Sequence, residues 1–135
     1  MKISDGYWLN RKGYSVNYAN QAYEVSYDAN SIYVLVTPSH IWNRGQTLGG
    51  PNFEMKFTST MADVIRVSIV HYRGTVDCGP HFELHDEQGY TPIINDTEHY
   101  IEMITGKTSV KISKDNCRFS ITATASTLQA AATEL

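Results

Sequence analysis

The chain has 135 residues, 41% of them hydrophobic and 19% charged, with a formal net charge of −3. This length and composition predict a soluble globular protein that forms one domain or part of a larger one. The acidic balance argues against nucleic acid as a partner, and no apolar run approaches the roughly 20 residues of a membrane span.

The first residues and the number of cysteines indicate the cellular compartment of the chain. The segment 1–6 contains no apolar stretch of signal-peptide length. Two cysteines, Cys78 and Cys117, are too few for a disulfide framework. We therefore expect a cytoplasmic chain with two free thiols.

Short alternating segments separated by turn formers fill the first half of the chain. The segment 6–18 predicts two short strands around a turn. In 21–27, the residues Tyr23, Val25 and Tyr27 alternate with the others, and this segment should pair with 32–37 in a hairpin with a loop of about four residues.

The strongest strand signal lies in 63–72, which is expected to pair with 53–59 across a tight connection. Ile65, Val67 and Ile69 fall on one face at period two and predict a core face. The opposite face is mixed, so we expect a central sheet strand with that face near the rim of the core.

Two irregular connections, 38–52 and 74–91, interrupt the strands, and connections of this length are often functional. Four further strands are predicted, at 93–94, 100–104, 109–112 and 119–122. Many short strands at such spacing predict an all-β sandwich or barrel over 1–125.

The last residues, 126–135, have a helical pattern instead of the alternation of the preceding segments. Ser126 and Gln129 have the spacing of a capping box, and the apolar residues after them share one helical face. A short helix and a frayed end both fit this segment.

A histidine pair in the second connection raises the question of a metal. His81 and His85 lie one turn apart on a helix but about 13 Å apart on a strand, too far for a shared zinc ion. Nearby Glu83, Asp86 and Glu87 also raise the question of a carboxylate pair for sugar hydrolysis, but the sequence does not give the distance between two carboxyl groups. We expect ordinary polar contacts here, with no catalytic residue, metal or cofactor.

The chain is rich in aromatic residues, with nine tyrosines and two tryptophans. Rings stack on the apolar faces of sugars, which makes Trp42 and Tyr72 candidates for sugar contact. Half-buried tyrosine packing in strands is the alternative explanation.

Six short motifs follow one another along the chain, at 1–9, Pro51-Asn52-Phe53, 67–72, Gly79-Pro80-His81, 95–100 and 109–114. In the order and spacing of these motifs, over about residues 1–120, the chain resembles the start of bacterial α-xylosidases of glycoside hydrolase family 31.

This resemblance implies a galactose mutarotase-like N-terminal β-sandwich, followed by a catalytic (β/α)₈ barrel that supplies both catalytic aspartates. The domain itself would be inactive. It would pack against the barrel, shape the rim of the site for the oligosaccharide substrate and form homo-oligomer contacts. Trp42, Tyr72 and His81 are the residues we expect in such contacts. A stand-alone carbohydrate-binding module is the alternative, and a small metal-dependent β enzyme is a third possibility.

Overall fold

The computed structural model describes residues 13–14, 16–72, 74 and 89–123. The described strands form two four-stranded antiparallel sheets, each with its strands in sequence order. The N-terminal sheet contains β1 (Gln21–Tyr27), β2 (Ser31–Thr37), β3 (Phe53–Thr58) and β4 (Arg66–Val70). The C-terminal sheet contains β5 (Ile93–Asp96), β6 (Tyr100–Thr105), β7 (Thr108–Ser113) and β8 (Phe119–Ala123). The predicted β-sandwich is confirmed.

The two sheets bury one hydrophobic cluster between them. Alternate residues of each strand point to this inner face, as the two-residue period of a strand requires. Phe57 of the N-terminal sheet meets Phe119 of the C-terminal sheet edge to face, with ring centroids 5.5 Å apart. The buried hydrophobic residues are Ala22, Ile32, Val34, Val36, Met55, Phe57, Ile101, Met103, Val110, Ile112 and Cys117.

Cys117 is a free thiol inside this cluster. Its Sγ lies 3.7 Å from the Sδ of Met55. Burial raises the pKa of the Cys117 thiol to about 11, because the thiolate would lose its hydration. The predicted free thiol is confirmed for Cys117, and Cys78 lies outside the described residues.

The register of β1 corrects the predicted alternation. A bulge between Ala22 and Glu24 places Ala22 opposite Val36 and Val25 opposite Val34. Ala22 and Val25 therefore share the inner face, although simple alternation puts them on opposite faces. An extra residue in one strand changes the sheet face to which each later side chain of that strand points.

The strand β4 is shorter than predicted and lies at the end of the described sheet, where it pairs with β3 alone. The predicted central position is therefore wrong for the described sheet. Val67 packs against the core as expected, but Ile69 is 59% exposed. An end strand lacks a second neighbour to cover its side chains. The connection from β3 spans residues 59–65 and is longer than the tight turn predicted.

The predicted strand ending at Tyr18 is also absent, since residues 16–20 carry no strand. Val16 and Tyr18 are exposed. Alternating Tyr and Val residues favour a strand only where a neighbouring surface covers one face. The tail 126–135 lies outside the described residues.

Hydroxyl groups join the two sheets at one end of the sandwich. The Thr105 hydroxyl lies 2.8 Å from both the Ser59 hydroxyl and the Tyr90 hydroxyl. It also lies 3.1 Å from the carbonyl oxygen of Met61, to which it donates. Because Ser59 and Thr105 are buried, these bonds satisfy groups that would otherwise be desolvated without partners. The connection after β3 is thereby fixed against the C-terminal sheet.

The β6–β7 hairpin docks on the same connection. Its two-residue turn, Gly106-Lys107, has Gly106 at a φ of 55°, which favours glycine. The Asp63 carboxylate accepts a hydrogen bond from the Lys107 backbone N–H. A Cβ atom at Gly106 would lie 2.9 Å from the Asp63 Cγ, so a side chain there would displace Asp63.

Candidate functional site

The connection between β2 and β3 is an ordered loop rather than a loose one. It contains the 3₁₀ helix Arg44–Leu48, which the sequence did not predict. The Asn43 carboxamide oxygen accepts from the Gly45 N–H at 3.0 Å, and the Gln46 carboxamide oxygen accepts from the Trp42 N–H at 2.6 Å. Asn43 and Gln46 form a capping box, a signal that sequence reading could have found.

Hydrogen bonds from the first residue of β1 and from the residue before it hold the start of this loop. The Gln21 side-chain oxygen accepts from the Ile41 N–H at 2.9 Å, and the Asn20 amide donates to the Pro38 carbonyl at 2.5 Å. A Cβ atom at Gly50 would lie 2.8 Å from Pro38 Cγ, so the two ends of the loop touch. These contacts fix the loop in one place on the sandwich.

The loop presents large apolar side chains to solvent. Trp42 is 80% exposed and Leu48 is 91% exposed. The Trp42 ring stacks on His40 with centroids 5.5 Å apart, which orients the indole without covering it. An exposed tryptophan on an ordered loop is a feature of contact surfaces, because it loses little conformational freedom on binding.

Tyr72 and His81 are the other two residues predicted to make contacts. Tyr72 follows β4 and is 77% exposed. Among the described residues, no ring contact links Tyr72 with Trp42. His81 lies outside the described residues. The roles of Trp42, Tyr72 and His81 in binding stay predictions.

A second surface, which the sequence did not single out, is a polar cleft of about 670 Å³ on the outer face of the N-terminal sheet. We call it the outer cleft. It is lined by side chains of β3 and β4, by the β1–β2 turn, by the end of β3 and by the residues before β5. The described lining residues are Asn30, Ser31, Lys56, Thr58, Ser59, Thr60, Arg66, Ser68, Val70, Gly89 and Tyr90.

Strand register sets the geometry of the outer cleft. Lys56 lies opposite Ser68, and Thr58 lies opposite Arg66. Directly opposed Cβ atoms are about 5 Å apart and diagonal positions about 7–8 Å apart. Lys56 and Arg66 are therefore diagonal neighbours on one face, within reach of a common small ligand. The polar side of 53–59 was visible in the sequence, but its pairing with Arg66 and Ser68 depends on register.

One carboxylate stands close to the outer cleft without lining it. Asp28 Oδ1 accepts from the Asn30 N–H at 2.8 Å, and its Oδ2 accepts from the Tyr33 hydroxyl at 3.0 Å. The Asn30 hydrogen bond, with smaller contributions from Tyr33 and the Lys56 charge, holds the pKa of Asp28 below its usual value. Asp28 is thus an ionised group that its turn already binds.

Within the part of the chain that the structure describes, no three His, Cys, Asp or Glu side chains lie close enough to hold a metal ion. No helix among those residues is long and apolar enough to cross a membrane. The accessible features are surfaces suited to binding.

Comparison with known proteins finds similarity to α-xylosidases. The chain is 27% identical over 113 residues to an alpha-xylosidase of Emericella nidulans, which covers 84% of this chain and 14% of that protein. It is 31% identical over 86 residues to the alpha-xylosidase XylQ of Lactiplantibacillus pentosus, covering 64% of this chain and 11% of XylQ. No family model matches the chain.

Most of this chain is therefore a region related to α-xylosidases. The aligned region spans only 11–14% of the length of the curated relatives it matches. A segment of that size is consistent with a domain that does not itself carry out catalysis.

Proposed function

We propose that this chain is the non-catalytic N-terminal β-sandwich domain of a family 31 α-glycosidase that hydrolyses terminal α-linked sugars, α-xylosides in particular. The observation that supports this most is the similarity to the Emericella alpha-xylosidase over 84% of the chain. The all-β sandwich agrees with the fold that the family resemblance implies. The proposal also places the full-length glycosidase in the cytoplasm.

The proposed role is one of contact rather than chemistry. The exposed, ordered loop with Trp42 supports packing against a catalytic (β/α)₈ barrel or a place at the rim of its active site. Tyr72 and His81 are proposed to serve the same contacts. The exposed Ile69 on the end strand β4 supports a further contact, with the barrel or with a second subunit.

Two measurements test this proposal. The isolated chain should release only background product from aryl α-xyloside and aryl α-glucoside. The open reading frame that encodes it should continue into a (β/α)₈ barrel with two catalytic aspartates, and the full-length product should hydrolyse aryl α-xyloside. Turnover by the isolated chain, or a reading frame without a barrel, would contradict the proposal.

A stand-alone carbohydrate-binding module is the second candidate. The Trp42 indole favours it, since it is 80% exposed and oriented by His40. Such a module should bind xylo-oligosaccharides saturably in calorimetry and lose that binding in Trp42→Ala. A domain that depends on its barrel should show no saturable binding by itself.

A further inference from the structure

We infer that the outer cleft binds a small polyhydroxylated anion, namely a sugar that carries a carboxylate or a phosphate. This site lies on the sheet and is separate from the Trp42 loop. It does not depend on whether the chain belongs to an α-glycosidase. The structure supports it through charge, unused hydroxyl groups and size.

The charge of the outer cleft is the first argument. Its described lining contains two cations, Lys56 and Arg66, and no acidic residue. Two carboxylates stand near the outer cleft without lining it: Asp28 already accepts hydrogen bonds from Asn30 and Tyr33, and Glu54 lies opposite Val70 on the same sheet face. The Lys56 ammonium lies 5.1 Å from the centroid of the Tyr33 ring, which positions this cation without neutralising it.

The two cations suit an oxyanion because of their positions. They occupy diagonal places on neighbouring strands, as the pairing of Thr58 with Arg66 shows. Both side chains are long, so they can converge on one anion between them. A guanidinium fork binds carboxylate or phosphate oxygens in pairs, and an ammonium adds a point charge.

Hydroxyl groups around the cations supply the second argument. Ser31, Thr58 and Ser68 line the outer cleft, and their hydroxyls form no hydrogen bond with any other described residue. These groups both donate and accept, as a sugar hydroxyl does. Tyr90 lines the same cleft while its hydroxyl is bonded to Thr105, so its ring is held in place.

The size of the outer cleft limits the ligand. Its volume of about 670 Å³ lies within the range of small-molecule sites, roughly 300–1,000 Å³. One or two sugar rings fit such a volume. A neutral sugar would not engage the charges of Lys56 and Arg66, and inorganic phosphate alone would leave the hydroxyls unused.

Titrations of the full chain test the inference, with glucuronate, glucose 6-phosphate, glucose and inorganic phosphate as probes. Binding is followed by amide chemical shifts and calorimetry at low salt. We expect saturable binding of glucuronate or glucose 6-phosphate, with shifts in β3 and β4. Glucose and inorganic phosphate should each bind at least about tenfold more weakly, which is about 1.4 kcal/mol. Comparing the two sugar anions distinguishes a carboxylate ligand from a phosphate ligand.

Charge-removing variants sharpen the test. Lys56→Gln and Arg66→Gln should each weaken binding about tenfold. Lys111→Gln removes the same charge from the C-terminal sheet and should change the affinity less than twofold. Thermal unfolding of each variant checks that it is folded. Raising the salt concentration should weaken binding by the unchanged protein, a measurement that needs no variant.

Four results would overturn the inference. They are no saturable binding of either sugar anion, equal binding of glucose, equal binding of inorganic phosphate, and unchanged affinity in both cleft variants. The proposed glycosidase role would survive each of them, because it rests on the sequence similarity and on the reading frame.

Discussion

The two sheets share one core but differ in the surfaces they present. On the C-terminal sheet, Lys114 lies 2.6 Å from Asp96, and the Lys111 ammonium contacts the Tyr100 ring as the Lys56 ammonium contacts the Tyr33 ring on the other sheet. On the N-terminal sheet, Lys56 and Arg66 face an open cleft. In our proposals the N-terminal sheet is the binding side and the C-terminal sheet its support.

The two sheets also differ in the regularity of their strand pairing. The described strands of the C-terminal sheet pair without a register shift. The N-terminal sheet has the bulge in β1 and the long loop before β3. Bulges and long loops are typical of the places where a sheet positions functional side chains.

The largest expected loss of stability comes from core variants, which test whether the two sheets unfold as one unit. Phe57→Ala and Ile101→Ala truncate fully buried side chains, one in each sheet. Each should lower the free energy of unfolding by about 3–5 kcal/mol, because it removes buried contacts and leaves a cavity. Urea unfolding followed by circular dichroism and by fluorescence should give one coincident transition.

Exposed Ile93→Ala is the control for these core variants and should change stability by less than about 0.5 kcal/mol. If Ile101→Ala melted only part of the secondary structure and left a separate second transition, the sheets would be independent units.

An intermediate effect is expected where hydroxyls join the sheets. Thr105→Val keeps the shape of the side chain but removes a buried hydroxyl that contacts the Ser59 and Tyr90 hydroxyls and the Met61 carbonyl oxygen, and the Ser59 hydroxyl keeps only its bond to Met61. The loss should be about 1–3 kcal/mol by urea unfolding. Thr108→Val, on the paired position of β7, is the matched control and should cost less. Equal losses in the two variants would show that the Thr105 contacts contribute nothing particular.

A pH effect is expected from the buried thiol. The pKa of Cys117 is about 11 when folded, against an ordinary value of 9.0. The folded protein therefore keeps a proton that the unfolded chain loses between these values. The stability from this residue is full below pH 9 and is lost as the pH rises towards 11. Cys117→Ala should reduce the fall in stability over this window.

Native Cys117 should also react slowly with iodoacetamide at pH 8 and rapidly in denaturant. Reaction rates measured by mass spectrometry after peptide digestion check this. Equal rates in the two conditions would place the thiol at the surface.

The smallest stability effect is expected at the binding side. Trp42→Ala should change the free energy of unfolding by less than about 0.5 kcal/mol, since the indole is mostly solvated. Urea unfolding checks this. A loss above about 1 kcal/mol would mean that the indole supports the loop itself, and the proposed contact role would lose its physical basis.

The sequence by itself determined the fold class and most strands. Period-two patterns placed β2, β3 and β5–β8, with turn-forming residues between them. These predictions succeed because each depends on local properties, namely alternation of side chains along a strand and the backbone freedom of turn residues.

The register of the strands and the composition of the outer surfaces were decided only by the tertiary structure. The bulge after Ala22, the end position of β4 and the diagonal of Lys56 and Arg66 all depend on which strand lies beside which. A strand's own residues show which of them share a face but not what lies opposite them. The outer cleft exists because residues 30–31, 56–70 and 89–90 come together in space, and no local pattern in the sequence specifies that meeting.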